Sequence, residues 1–144
     1  MSGLAGAPEL IARLKRIAEE APKEFGDALY QEALGVQKVA LTRCPVDDGP
    51  LRASIITNKP VYEGRDISVT IQAGGPSAPY ALAVHEHLSE HSPASWKAAE
   101  ASGSGVHWSV AGTGPKFLEG PLLEAKPTLA ASLAKRIDLN GMAR

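Results

Sequence analysis

Between Pro8 and Pro45 the chain carries one long helical pattern, and every other element has to be arranged around it. Leu10, Leu14, Ile17 and Ala21 recur at helical spacing. Phe25, Leu29, Val36, Val39 and Ala40 then restore the period beyond Pro22. Pro8 suits a first turn, where its missing N–H would be unpaired anyway. Pro22 predicts a break or kink. Thr42-Arg43-Cys44 runs into Pro45, which disfavours helical backbone just before it. One long or broken helix over about 8–43 is therefore expected.

The stretch PVDDGPLRASI, residues 45–55, reads as a turn. Asp47 or Asp48 can bond its own backbone two residues on, and Gly49 tolerates unusual dihedrals. Two strands follow. In the clearer one, Ile67, Val69, Ile71 and Ala73 point one way, and Ser68, Thr70 and Gln72 the other. That is the period of a half-buried antiparallel strand. The first strand, about 52–58, is partly apolar on both faces, and Pro60 limits it or makes it an edge. Glu63-Gly64 supplies the turn between them, and Gly74-Gly75-Pro76 ends the second strand.

Tyr80 to His87 reads as a short helix with Tyr80, Ala81, Val84 and Leu88 on one side. Residues 89–105 are rich in Ser, Ala and Gly and read as a long surface loop. Val106, Trp108 and Val110 alternate with His107 and Ser109 as a third short strand, which Gly112-Thr113-Gly114-Pro115 breaks. Residues 116–137 are helical, with an apolar stripe of Leu122, Leu129, Leu133 and Ile137. Lys135 and Arg136 suit the negative end of the helix dipole, and Asn140-Gly141 stops it. Pro127 must kink or restart that helix. The expected fold class is α+β in one domain, 1–144. Its parts are a helical segment 1–44, a sheet, short helix and loop over 45–115, and a C-terminal helix over 116–144.

With 44% hydrophobic residues the chain can build a core, and with only 5% aromatics that core is mostly Leu, Ile, Val and Ala. A formal net charge of -1 argues against a basic nucleic-acid binder or an acidic disordered tail. Arg13, Lys15 and Arg16 stand beside Glu19 and Glu20, the pattern of a solvated helix face. The single cysteine, Cys44, has no disulfide or zinc-knuckle partner and reads as a small buried residue at a helix end. The opening MSGLAGAPELIARLKR lacks the order of a signal peptide. No run approaches the ~20 apolar residues of a membrane helix. A soluble protein made in the cytoplasm, with no membrane partner, is expected.

The stretch HEHLSEH, His85 to His91, holds three of the four histidines. Helical zinc sites favour His at i and i+4, which share a face. Only His87 and His91 have that spacing, and position 89 is Ser where an HExxH motif needs His. A metal-dependent enzyme using His85, His87 and His91, completed in space by His107, is one alternative. The other reading is a polar helix end with His85 hydrogen-bonded into the fold. No G-x-S-x-G elbow exists, Gly103-Ser104-Gly105 being a flexible tripeptide. Gly74-Gly75 is not a phosphate loop. No catalytic, cofactor-binding or metal-ligating residue is assigned, and no cofactor is expected. A small sheet has open edges that invite cover by a neighbour. That favours an assembly subunit, or a generic protein-binding module, over an enzyme.

Three motifs in order carry a resemblance. The first is Cys44-Pro45-Val46-Asp47-Asp48-Gly49-Pro50-Leu51-Arg52-Ala53-Ser54-Ile55. The second is Tyr80-Ala81-Leu82-Ala83-Val84-His85-Glu86. The third is Pro115-Lys116-Phe117-Leu118-Glu119-Gly120-Pro121-Leu122. With helix, hairpin and helix between them, the chain from about 25 to 137 resembles the tail-completion, or head–tail joining, proteins of long-tailed bacteriophages. These are also labelled minor tail or neck proteins. It departs from their pattern at Asp48, where Thr is usual, at Pro50, and in an enlarged loop over 89–112.

The resemblance implies a non-catalytic virion protein, made in the host bacterial cytoplasm and found at the head–tail junction. Its partners would be copies of itself in a ring, commonly a hexamer, with the head connector or stopper on one side and tail terminator or tube proteins on the other. DNA would pass through the axial channel. Pro45, Asp47, Gly49, Leu51 and Ser54 would set the turn between helix and sheet. Tyr80 and His85 would anchor the short helix, and Phe117 and Leu118 would seat the C-terminal helix in the core. The loop carrying Ser89, Trp96 and Trp108 is expected at an inter-subunit contact, because a long Gly/Ser-rich segment is costly to order without a partner.

Overall fold

The helical period of residues 8–43 becomes a single helix, α1 (Ala7–Arg43), of 37 residues in the computed structural model, which describes residues 7–45, 49–86 and 113–138. Of the two expected forms, one long helix or a broken one, the structure has the first: α1 includes Pro22 within one element. The φ of proline is already helical, so the cost is one lost hydrogen bond and crowding at the Ala18 carbonyl. Both residues are exposed, so water can serve that carbonyl. The Cys44 N–H still reaches the Ala40 carbonyl at 2.8 Å, and Pro45, with no N–H to give, ends the series.

The two halves of α1 have different surroundings. From Pro8 to Phe25 only Ile17 and Ala21 are half-buried; Leu10 and Leu14 are 57% and 56% exposed. From Gly26 onward Ala28, Val36 and Ala40 are buried. Tyr62 lies directly over Gly26, so close that a Cβ there would stand 2.2 Å from the phenol oxygen. Farther along, Gln37 donates to the Ile55 carbonyl at 2.9 Å and accepts from the Thr57 hydroxyl at 2.7 Å, tying α1 to the sheet.

Residues 49–53, expected to be part of a turn, form a short helix, α2 (Gly49–Ala53). Pro50 lies in its first turn, where proline is tolerated. α2 takes up Arg52 and Ala53, so the first strand, expected over 52–58, shrinks to β1 (Ile56–Thr57). It is followed by β2 (Val61–Glu63), β3 (Asp66–Ser68) and β4 (Ile71–Gln72). β1 pairs antiparallel with β4, placing Ile56 opposite Gln72, and β2 with β3, placing Tyr62 opposite Ile67. Between the two ladders Asn58, Lys59 and Pro60 face only Val69 and Thr70, an extra residue that interrupts pairing where Pro60 has no N–H to give. The tip is a two-residue turn with Gly64 at φ 62°, which strand twist favours. The expected alternation holds: Ile67, Val69, Ile71 and Ala73 are half-buried, while Ser68, Thr70 and Gln72 are exposed.

α3 (Ala81–Glu86) buries Ala81, Ala83 and Val84. The C-terminal region is α4 (Glu119–Ala125), a 3₁₀ turn (Lys126–Thr128) and α5 (Leu129–Arg136). Pro127 thus restarts the helix. The predicted stripe is covered unevenly. Leu133 is buried and Leu129 and Ile137 are half-buried, but Leu122 is 52% exposed. α5 ends at Ile137, whose backbone is extended (φ -86°, ψ 117°), before Asn140-Gly141 is reached. Two ion pairs hold these helices to α1: Arg43 grips Glu124 through both oxygens at 2.7 Å, and Arg136 meets Glu32 at 2.5 Å.

The core gathers Ala40, Cys44, Leu51, Ile55, Ala78, Ala81, Val84 and Phe117, with Leu41, Ile71, Ala73, Tyr80 and Leu118 packed against it. The fold class is α+β as predicted: a long N-terminal helix, small antiparallel ladders, a short helix and a C-terminal helical segment. Among the described residues no helix is long and apolar enough to cross a membrane. The predicted loop over 89–105, the strand at 106–110, Leu88 and Asn140-Gly141 lie outside the described residues.

Candidate functional site

The C-terminal end of α3 and the start of α4 build one polar cluster. His85, in the last turn of α3, sets its ring edge-on to Phe117, with centroids 5.1 Å apart and planes at 79°. The backbone N–H of Glu119 donates to His85 Nε2 at 3.2 Å. An acceptor Nε2 leaves the proton on Nδ1, which meets Glu86 Oε1 at 2.7 Å. The ring therefore serves one of the otherwise unpaired N–H groups that open α4. Sequence reading expected His85 to be hydrogen-bonded into the fold, and both of its nitrogens are engaged.

Lys116 completes the cluster. Its backbone adopts φ 57°, a left-handed conformation uncommon for a side chain of this size. That conformation lets its N–H reach the His85 carbonyl at 2.8 Å, while Nζ meets Glu86 at 2.6 Å and Glu119 at 2.7 Å. Ligand atoms of His85, Glu86 and Glu119 lie within 4.8 Å of one another, a spacing that suits a cation. The ammonium of Lys116 already stands there as the cation. Its hydrogen bond, followed by that of His85, holds the Glu86 carboxyl below its ordinary value. Glu119 first and Glu86 second hold Lys116 above its own. The cluster is a latch between α3 and α4, with its charges paired internally.

The resemblance motifs meet around this latch. Pro45 is buried at the end of α1, and Leu51 and Phe117 are each 1% exposed in the core. Ser54 Oγ donates to the Leu51 carbonyl at 2.6 Å and accepts the Gly74 N–H at 2.8 Å, joining α2 to the end of the hairpin. Gly49 is exposed at the start of α2, and Tyr80 and Leu118 are half-buried against the core. Of the segment expected as a turn, Leu51 lies instead in α2 as a core residue, while Ser54 stands in the turn that leaves that helix. Asp47, His87, Ser89, His91, Trp96, His107 and Trp108 lie outside the described residues.

Beside the latch opens an apolar groove of about 610 Å³. Leu29, Ala33 and Val36 of α1 form its floor, Val69 and Ile71 one wall, and Leu118, Leu122, Leu123 and Leu129 the other. Glu32 and Glu119 on its rim are spoken for by Arg136 and Lys116. Among the described residues no buried side-chain nitrogen or oxygen lacks a hydrogen-bond partner, and His85 and Lys126 also line the groove. Such a surface can hold an apolar side chain. Sequence reading missed this groove, because it is lined by α1, the hairpin and the C-terminal helices together. It missed Lys116 as well, although the spacing to Glu119 was a signal. Comparisons with protein-family models, with curated proteins and with solved structures return no match to this chain.

Proposed function

We propose that the protein is a structural subunit of a virion, a ring-forming tail-completion or neck component that joins a phage tail to the head connector around a DNA channel. One observation carries the reading beyond sequence likeness. The three motifs, far apart in the chain, supply Cys44, Leu51, Ile55, Ala81, Val84 and Phe117 to a single core. Motifs that share a core are what a family fold requires, whereas residues serving catalysis would converge on a cleft. The internal pairing of the latch and the apolar character of the groove also fit assembly better than chemistry.

The test is copy number. In purified particles or isolated tails the protein should be present in a fixed, ring-sized number of copies per virion. Recovery only as a free protein, absent from particles, overturns the reading. The metal-enzyme alternative predicts stoichiometric transition metal in purified protein and loss of structure on chelation; elemental analysis decides it.

A further inference from the structure

We infer that the N-terminal arm of α1 in one copy of this chain docks in the apolar groove of a second copy. Both halves of such a contact are present and exposed among the described residues. The arm exposes Leu10, Ile11 and Leu14, each more than half accessible, with Ile17 following on the same face. Leu10, Leu14 and Ile17 stand at i, i+4 and i+7, the anchor spacing by which an amphipathic helix lies in a hydrophobic groove. The groove exposes Leu122 and Leu123, at 52% and 56%. Apolar patches of this kind on a folded chain mark contact surfaces.

An arm seated in the groove has to come from another molecule. The groove floor is Leu29, Ala33 and Val36 of α1 itself. Ile17 lies twelve positions earlier on that same helix, roughly 18 Å away along the axis. A chain cannot lay its arm in its own groove without breaking α1, which runs unbroken from Ala7 to Arg43. Copies carry a net charge of only -1, so little long-range repulsion opposes their approach. The contact joins two different surfaces, so two copies can exchange arms about a two-fold axis, or the contact can repeat head to tail into a ring or a fibre. This deepens the assembly reading and rests on it for its setting, while the surfaces themselves are properties of the isolated chain.

The experiment uses the full chain and sedimentation velocity across a wide concentration range. L14D spoils the arm and L123D spoils the groove; both positions are exposed, so circular dichroism should show each variant folded. The wild type should associate, and each variant alone should lose at least about tenfold in association constant, the scale of one interface anchor. Mixing the two variants should restore one intact arm–groove contact and give dimers that grow no further. Should a variant fail to fold, oxidation of L14C mixed with L123C provides the second readout, and only the mixture should cross-link. A wild type that stays monomeric, association that survives both substitutions, or efficient cross-linking of L14C alone, which would mean arm against arm, overturns the inference. Virion copy number remains the separate test of the assembly reading, so either can fail without the other.

Discussion

The two halves of α1 share one backbone and one apolar periodicity, yet among the described residues only one half carries fully buried side chains. Beyond Gly26 the helix is enclosed by the hairpin, α4 and α5, and its small residues, Ala28, Val36 and Ala40, are the buried ones. Before it, larger side chains of the same helix stand in solvent. Leu10 at 57% exposure and Ala40 at 0% occupy equivalent roles in the pattern and opposite ones in the structure. Periodicity reports which face of a helix is apolar. Whether anything lies against that face is a property of the rest of the molecule, or of another molecule.

The contrast can be broken most forcefully from the packed side. Phe117→Ala should cost about 3–5 kcal/mol, because a fully buried aromatic leaves a cavity in a tight core. Leu14→Ala on the arm should change monomer stability by less than about 0.5 kcal/mol. Denaturant titration of both at low protein concentration checks the pair. If the two costs were similar, the arm would have to be packed against its own chain.

Alkaline pH probes the same core through Cys44. Burial pushes its thiol from 9.0 up to about 11, with Arg52 partly offsetting the effect. The native state holds this proton more tightly than the unfolded chain. Its contribution is therefore complete below 9.0 and is lost as pH rises toward about 11. Stability should fall across that window, and Cys44→Ala should flatten the fall. At neutral pH the native thiol should react with a thiol reagent far more slowly than the denatured one.

A smaller and opposite effect is expected at Gly35. A Cβ there would meet nothing within 4 Å, so Gly35→Ala should raise stability by about 0.8–1 kcal/mol through helix propensity. Gly26→Ala on the same helix has to displace Tyr62 and should give less than that gain or a net loss. Thermal melts of the two variants sharpen the distinction between exposed and covered backbone within one half of α1.

The smallest effect belongs to the latch. Glu86 is held low by Lys116 and His85, so its contribution is present above the ordinary 4.5 and lost as pH falls through its lower folded value. Lys116 is held high, so its share is present below 10.5 and lost as pH rises through its higher folded value. Both groups are at the surface, where such pairs contribute little. Lys116→Gln should weaken the acid-side dependence assigned to Glu86, leaving the part due to His85, while the fold stays intact, as followed by melts between acid and neutral pH.

Much of this architecture was legible in the chain. Alternation over Ile67–Ala73 marked the half-buried strand, helical spacing marked α1, and His85 was rightly placed as a hydrogen-bonded helix end. Local pattern failed where a distant partner decided the outcome. Pro22 left one long helix or a broken one open, because a proline at an exposed position can cost one bond and not the helix. Leu122 lines the same groove as Leu129 but is 52% exposed, because that part of the stripe faces open space. Pro60 was recognised as limiting a strand, but the bulge it sits in needs the opposite strand to define it. The groove is a space between elements, and no segment of sequence contains it.

Pro22 stands at the seam between the supported and unsupported halves of α1, and it removes a rung of the hydrogen-bond ladder there. Opening of the arm from its N-terminus can therefore proceed to that rung without disturbing a buried side chain. Amide exchange should read the helix as two kinetic segments: a fast one ending near Pro22, and a slow one beginning past Gly26 that opens only with the body of the protein. A ligand, or a second copy, that covers the arm would erase the step between them.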